Sequence, residues 1–307
     1  MRIKIETPST AAECFKDFIL SKKAQGLAEK TLDSYKNHFH AAGLFIDWNV
    51  PIGDIQKKDI DKVISQLRDK GLKSHTIASY IITIKTFFSW ARKEGLSTLN
   101  IPLYKCEDSV KETYTDEELR LLLKKPNLRQ CVFSEYRNWV IINMLMNSGC
   151  RAATLRNIRI SDIDLEGSLC YFRHTKNKKL QVSPLCSEMK HILQEYLRIR
   201  KGSDSDYLFP NEFNGQMSEN CLVSAIQRYN RSRGVAKTSI HLFRHTFARK
   251  YLLDCGGNAF TLQKLLGHST LEMTKKYCEL FNADIMKDFD QHSPLTVIQS
   301  SKKSISI

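Results

Sequence analysis

The sequence predicts a mainly α-helical protein of two domains that carries one small antiparallel β-sheet. Apolar residues recur at helical spacing through the first part of the chain. They alternate with a period of two only between residues 161 and 184. A polar stretch that contains Pro102 separates two helical patterns and is typical of a linker. We therefore predict a helical N-terminal domain (1–95), a linker (96–113), an α+β C-terminal domain (114–290) and a polar tail (291–307).

Four helices are expected in the N-terminal domain. The first covers about residues 10–23, and the second follows Gly26. The third covers about residues 57–70 and ends at Gly71, and the fourth runs from Ser74 until Gly95 stops it. The apolar face of the fourth helix is interpreted as core.

The C-terminal domain begins with a capping box formed by Thr115 and Glu118. A buried helix over about residues 136–147 follows and ends at Ser148 and Gly149, which places Arg151 on a turn. Three strands come next, with turns at residues 166–168 and 176–179. From about Glu188 onward the pattern is helical again.

The composition favours a polyanionic partner. The 47 Lys and Arg residues outnumber the 33 Asp and Glu residues, which gives a formal charge of +14 and a pI near 9.3. Nucleic acid is the obvious partner for such a charge. No apolar run is long enough to span a bilayer, and the N-terminus lacks a signal-like segment, so we expect a cytoplasmic protein. Nine cysteines without a C-x-x-C pair indicate reduced thiols rather than a zinc site.

Six residues in order along the chain combine the groups that phosphodiester cleavage requires. Arginine forks bind phosphate oxygens, lysine and histidine transfer protons, and a tyrosine can attack phosphorus. Each residue alone also has a structural interpretation, such as an ion pair or a core tyrosine. The pattern H-E-x-x-H fails because position 242 is Leu, which argues against a metal site at His241 and His245. The six candidates are Arg151, Lys176, His241, Arg244, His268 and Tyr277.

Four strings around these residues resemble the tyrosine recombinase (phage integrase) family: NSGCRAATL, YFRHTKNKKLQVSPL, HLFRHTFAR and LLGHSTLEMTKKY. The spacing of nine from His268 to Tyr277 is the one that this family requires. The string SHTIASYIITIKTFFSWARKEG resembles the last helices of the family's N-terminal core-binding, SAM-like domain. One position departs from the pattern, because Thr154 stands where the family usually has an acidic residue.

The resemblance implies the roles of the nucleophile and of the two arginines. Tyr277 would attack the scissile phosphodiester, form a 3′-phosphotyrosyl link and release a 5′-hydroxyl. The covalent link stores the bond energy, so no ATP, metal or other cofactor is implied. Arg151 and Arg244 would hold the non-bridging oxygens and stabilise the transition-state charge.

The resemblance also implies how protons move. His241 would accept the proton of the tyrosine, whose reference pKa is about 10. His268 would donate to a phosphate oxygen. Lys176 is the expected general acid for the leaving 5′-oxygen, with Lys178 and Lys179 as rivals because the register of the hairpin tip can slip.

The implied partner is double-stranded DNA, clamped between the two domains. The resembling enzymes act as four protomers on two duplexes, and residues 282–293 are the candidate segment for exchange between protomers. An accessory excision factor is a further candidate partner. A type IB topoisomerase and a catalytically silent DNA-binding regulator remain alternatives to a site-specific recombinase. The recombinase could serve a mobile element, in phage integration or transposition, or resolve chromosome or plasmid dimers. Four N-terminal residues are candidate phosphate contacts, although solvated surface is an equal or better interpretation: Lys30, Lys73, Arg92 and Lys93. Lys178 and Lys179 at the hairpin tip are further candidate DNA contacts.

Overall fold

The computed structural model describes residues 9–106, 112–175 and 179–274. The chain divides into two compact units, Met1–Ser109 and Val110–Ile307. The mainly helical class with a small antiparallel sheet is confirmed. In the described residues no helix is long and apolar enough to cross a membrane.

The first unit contains four α-helices in its described part. Thr10 caps the first helix through a reciprocal capping box with Glu13, as its position before an amphipathic run favours. Left-handed glycines follow the first, third and fourth helices, with φ of 77° at Gly26, 74° at Gly71 and 74° at Gly95. The helices are α1 (Ala11–Ala24), α2 (Glu29–Ala42), α3 (Lys57–Asp69) and α4 (Ser74–Lys93), with a short 3₁₀ helix at Ile52–Asp54.

Aromatic side chains fill the core of the first unit. The rings of Phe15 and Phe39 stack with centroids 3.7 Å apart, and Phe87 of α4 meets Phe15 edge-on at 5.4 Å. Trp48 stacks on Phe39 and donates its indole N–H to the Phe39 carbonyl. Ile101 is also buried in this core, inside the stretch predicted as linker. The predicted domain bounds stay a prediction.

The second unit is built around one helix whose central residues are buried on every side. Residues Trp139 to Ile142 of this helix are all nearly or fully buried, so it forms the centre of the core. The capping box between Thr115 and Glu118 is present at the start of the unit. The helices are α5 (Asp116–Leu123), α6 (Phe133–Ser148), α7 (Ala152–Leu155), α8 (Ser187–Arg200), α9 (Glu219–Ser232), α10 (Ile240–Leu253) and α11 (Ala259–Leu266).

The sheet has the predicted meander topology. Strands β1 (Ile163–Asp164), β2 (Leu169–Phe172) and β3 (Gln181–Pro184) pair antiparallel in the order β1-β2-β3. Cys170 and Phe172 of β2 point to the core while their neighbours are half-buried, which is the alternation that the period of two predicts. The tip between β2 and β3 contains residues 176–178, which lie outside the described residues.

Candidate active site

Arg244 is the centre of the candidate active site. It lies on α10 and is only 8% exposed. Its Nη1 donates to the carbonyl of Gly149 at 2.8 Å, and its Nη2 donates to the carbonyl of Leu266 at 3.0 Å. The Nη2 atom also lies 2.8 Å from Nε2 of His268. One guanidinium therefore ties together the end of α6, the end of α11 and the histidine that follows α11.

The sequence allows this approach because α6 ends in a left-handed glycine. Gly149 has a φ of +58°. A Cβ at this position would lie 2.4 Å from Cδ1 of Phe247 and 2.8 Å from Cδ2 of Leu266, so no larger residue fits without movement. The turn brings Arg151, two residues later, to the N-cap of α7. Arg151 is half-buried and lines the same depression as His268.

A second left-handed glycine positions His268. Gly267 has a φ of +62° and ends α11, and a Cβ there would lie 2.5 Å from Oε1 of Gln181. The Nδ1 atom of His268 lies 2.8 Å from Oγ1 of the buried Thr274. Because a guanidinium only donates, Nε2 accepts from Arg244, so the proton of a neutral ring is on Nδ1 and faces Thr274. The imidazole is thus oriented from both sides.

An open depression of about 830 Å³ lies beside these groups. The residues that line it include no aspartate or glutamate among those that the structure describes, whereas they include an arginine and two lysines. Such a surface suits an anion and disfavours a metal ion. Within the described ranges, no cluster of His, Cys, Asp and Glu could hold a metal. The lining residues are Arg151, Thr175, Lys179, Leu180, Gln181, Val182, Thr261, Lys264, Leu265, Gly267, His268 and Ser269.

His241 lies one helical turn before Arg244, as the spacing predicts. Its side chain is exposed and makes no hydrogen bond to the described residues. Ser239 occupies the N-cap position of α10, but its hydroxyl does not cap the helix. Lys179 is exposed at the edge of the depression. Three predicted site residues lie outside the described residues: Lys176, Lys178 and Tyr277.

The candidate DNA contacts of the first unit lie at helix ends. Lys30 is in the first turn of α2 and Lys73 is the N-cap of α4, and both are exposed. Arg92 and Lys93 are in the last turn of α4, where Arg92 is partly buried and Lys93 is exposed. Exposure is compatible with DNA contact and with plain solvation, so these four residues stay predictions.

Thr154 occupies a buried position, with 5% of its surface exposed. Within the described part of the chain, neither its hydroxyl nor the Arg151 guanidinium makes a hydrogen bond or an ion pair. Both residues line a hollow next to the main depression, together with Asn157, Arg173 and His174. The acidic support that the family pattern has at this position is therefore not replaced by the threonine.

Sequence reasoning missed two residues that hold the site together. Thr274 fixes the His268 ring, and the Gln181 side-chain amide donates to the Leu265 carbonyl beneath Gly267. No sequence pattern indicates either residue. Gln181 contacts a residue 84 positions later in the chain, and Thr274 contacts His268 across an irregular turn. Cys150, next to Arg151, is fully buried, and burial raises the pKa of its thiol to about 11, so it is an inert core residue.

Family models and known proteins agree with this architecture. The model of the phage integrase family matches residues 112–283, and the model of the phage integrase N-terminal SAM-like domain matches residues 14–95. The tyrosine recombinase XerC of Thermodesulfovibrio yellowstonii is 27% identical over 288 residues, which are 90% of this chain and 94% of that protein.

Solved structures show the same fold. An integrase of the Tn1549 transposon in complex with transposon right end DNA has a TM-score of 0.74 and 19% identity, over 87% of this chain and 94% of that one. A lambda integrase tetramer bound to a Holliday junction has a TM-score of 0.71 and 20% identity, over 89% of this chain and 78% of that one.

One family model matches each of the two units, and the cationic depression beside Arg244, lined by Arg151, lies in the second. The family model covers more than half of the chain. The chain belongs to the phage integrase family, the tyrosine recombinases, which are enzymes that cleave and rejoin DNA.

Proposed function

We propose that this protein is a site-specific DNA recombinase that cleaves and rejoins strands through a 3′-phosphotyrosyl intermediate on Tyr277. The observation that carries the proposal is the contact network of Arg244. It connects the turn before Arg151 to the segment of His268, so that three separate motifs converge on one anion-binding surface.

The two arginines bind the scissile phosphate and stabilise the charge of the transition state. Guanidinium groups match phosphate oxygens in a planar fork, and they keep their charge at any physiological pH. The backbone carbonyls fix Arg244 before DNA arrives, so little reorganisation is needed during the reaction. Arg151, with no ion pair to the described residues, keeps its charge available for the phosphate.

His268 has a positioning role toward Arg244. Its Nε2 accepts from Arg244, so the ring orients the guanidinium. To donate to a phosphate oxygen, as the family resemblance implies, Nε2 needs a proton and the contact with Arg244 must open. A bound anion favours both changes. Its negative charge attracts the Arg244 guanidinium and stabilises the protonated form of the His268 ring.

Two further groups move the protons. His241, exposed one turn before Arg244, accepts the proton of the Tyr277 hydroxyl. Lys176 protonates the departing 5′-oxygen, with Lys178 and Lys179 as rivals. The side chain of Lys179 borders the depression, which keeps it in contention.

Replacement of each hairpin lysine distinguishes these three candidates. A DNA substrate with a 5′-thio leaving group needs no general acid, so it restores cleavage only to the variant that lacks the acid. Rescue of the Lys176→Ala variant alone supports the assignment. Rescue at position 178 or 179 instead moves the role to that residue.

The partner is double-stranded DNA, and the acting form is a homotetramer on two duplexes. The net charge of +14 and the lambda integrase tetramer on a Holliday junction support this assembly. Residues 282–293, which lie outside the described residues, are the proposed exchange segment between protomers. The XerC relative supports a DNA-associated protein of the bacterial cytoplasm, and an accessory excision factor is a further proposed partner.

A nicked suicide substrate tests the proposed function. Tyr277→Phe abolishes the covalent protein–DNA adduct and leaves binding to uncleaved DNA unchanged, because only the nucleophile is lost. Tyr207→Phe is a matched control that retains the adduct. An adduct that persists in Tyr277→Phe refutes the assignment. Relaxation of supercoils by the wild type without any site requirement indicates a topoisomerase, and tight binding without an adduct indicates a silent regulator.

A further inference from the structure

A second cationic depression lies in the same unit, at the other end of α6 from the candidate active site. It has a volume of about 800 Å³. Arg137 lies in its wall near the start of α6, whereas Gly149 and Arg151 follow the end of that helix. The twelve residues from Arg137 to Gly149 correspond to about 18 Å along the helix axis. The two depressions are therefore separate sites.

Three arginines line this second depression: Arg137, Arg200 and Arg228. Among the described residues none of them forms an ion pair, although Glu212 lies on the same rim. Arg137 is 7% exposed, and Arg228 is exposed. The three arginines and one glutamate that line the depression carry a formal charge of +2, and Asp206, which interacts electrostatically with Arg200, is not among the lining residues.

Two of the arginines have buried nitrogen atoms without a hydrogen-bond partner in the described residues. These atoms are Nε of Arg137 and Nε of Arg200. The remaining contacts hold the guanidiniums in place, since Arg137 donates to the Pro210 carbonyl and Arg200 donates to those of Lys201 and Tyr207. Burial lowers the pKa of Arg137. Arg137 is a buried cation that makes no ion pair with the described residues, which is costly, so an oxyanion bound here would offset that cost.

Exposed apolar side chains border the arginines. Phe133 and Ile199 line the depression with 39% and 44% of their surfaces exposed. Phe213, between two lining residues, is 83% exposed, and Val132 next to Phe133 is 66% exposed. Aromatic residues and arginine around a pocket are typical of the energetically dominant parts of protein interfaces. A DNA backbone offers no apolar complement to such a rim, whereas a peptide does.

We propose that this depression, lined by Arg137, Arg200 and Arg228, docks a partner protein through a peptide segment in which an aspartate or glutamate is flanked by apolar side chains. The carboxylate enters between the arginines, and its apolar neighbours cover Phe133 and Ile199. Distance from the candidate active site allows the partner to bind while DNA occupies that site. The proposal does not depend on cleavage activity.

Selection from a library of random short peptides, displayed against the full chain, tests the proposal. We expect enriched peptides to combine an acidic residue with aromatic or aliphatic neighbours. Arg228→Gln, at an exposed position, should weaken their binding about tenfold or more, which is the effect of losing a charge-assisted hydrogen bond. Arg231→Gln, exposed on the same helix and absent from the depression, is the matched control and should bind as the wild type does.

The test is completed by replacing the aspartate or glutamate of a selected peptide with asparagine or glutamine. The amide peptide should bind wild type and Arg228→Gln equally, because the coupling between carboxylate and arginine is gone. Selected peptides without acidic residues, or acidic peptides that bind Arg228→Gln as well as wild type, overturn the proposal. A loss of duplex DNA affinity in Arg228→Gln but not in Arg231→Gln also overturns it, because the depression is then a nucleic-acid contact.

Discussion

Arg244→Lys separates the charge of the central arginine from its geometry. Lysine keeps the positive charge but carries it on one nitrogen, whereas the arginine uses Nη1 for the Gly149 carbonyl and Nη2 for the Leu266 carbonyl. Nη1 and Nη2 occupy separate positions in one planar group, so the single nitrogen of lysine cannot stand at both. At least one carbonyl in a buried site loses its donor.

The expected cost follows from that loss. An acceptor left without its partner in a buried site destabilises a protein by about 1–3 kcal/mol. For a domain of this size, each kcal/mol lowers the melting temperature by roughly 2–4 °C, so the variant should melt about 2–12 °C below the wild type. Cleavage of the suicide substrate should fall by about a hundredfold or more, because the fork that matches the phosphate is gone.

Differential scanning calorimetry and the rate of covalent adduct formation measure these two effects. Arg231→Lys, which replaces an exposed arginine of α9, is the control and should change neither quantity appreciably. A melting temperature for Arg244→Lys within 1 °C of the wild type would show that the two carbonyl contacts do not hold the site. Normal cleavage would show that Arg244 does not bind the scissile phosphate.

Three smaller changes probe the surroundings of Arg244. Gly149→Ala should destabilise the protein by about 2–5 kcal/mol in urea unfolding, because alanine is strained in the left-handed conformation and its Cβ would clash with Phe247. An unchanged unfolding midpoint would contradict the turn geometry. Thr274→Val should slow adduct formation by about 2- to 12-fold with DNA affinity retained, since one hydrogen bond to His268 is lost; an unchanged rate removes Thr274 as a positioning residue. Thr154→Val should leave the cleavage rate within about threefold of the wild type, because the Thr154 hydroxyl bonds to none of the described residues; a large loss would show that it replaces the missing acid.

The local elements of the fold were predictable because their signals are local. The capping box at Thr115 requires only a spacing of three residues, and the glycine at position 149, predicted to end a helix, has the left-handed conformation. The period of two predicts the sheet for the same reason. Ser239 shows the limit of such signals, since its side chain does not cap α10 although it stands at the N-cap.

Family membership was also predictable from the sequence alone, because the motifs around Arg151, Arg244 and His268 keep residue type and spacing together. The site residues that these motifs indicate stay predictions. Their mutual arrangement was decided by the tertiary structure. Arg244 bonds to the Gly149 carbonyl 95 positions earlier in the chain and reaches His268 across 24 positions. The periodicity of the sequence does not predict such contacts, because they depend on how closely α6, α10 and α11 pack.

The second depression illustrates the same division. Arg137, Arg200 and Arg228 belong to three different helices, and each one by itself predicts only a solvated charge. Packing of these helices brings the guanidiniums together, buries Arg137 and leaves the Nε atoms of Arg137 and Arg200 without partners in the described residues. Sequence determined which charges and motifs this protein carries. Tertiary packing decided which of them meet, because burial and hydrogen bonding depend on contacts between segments far apart in the chain.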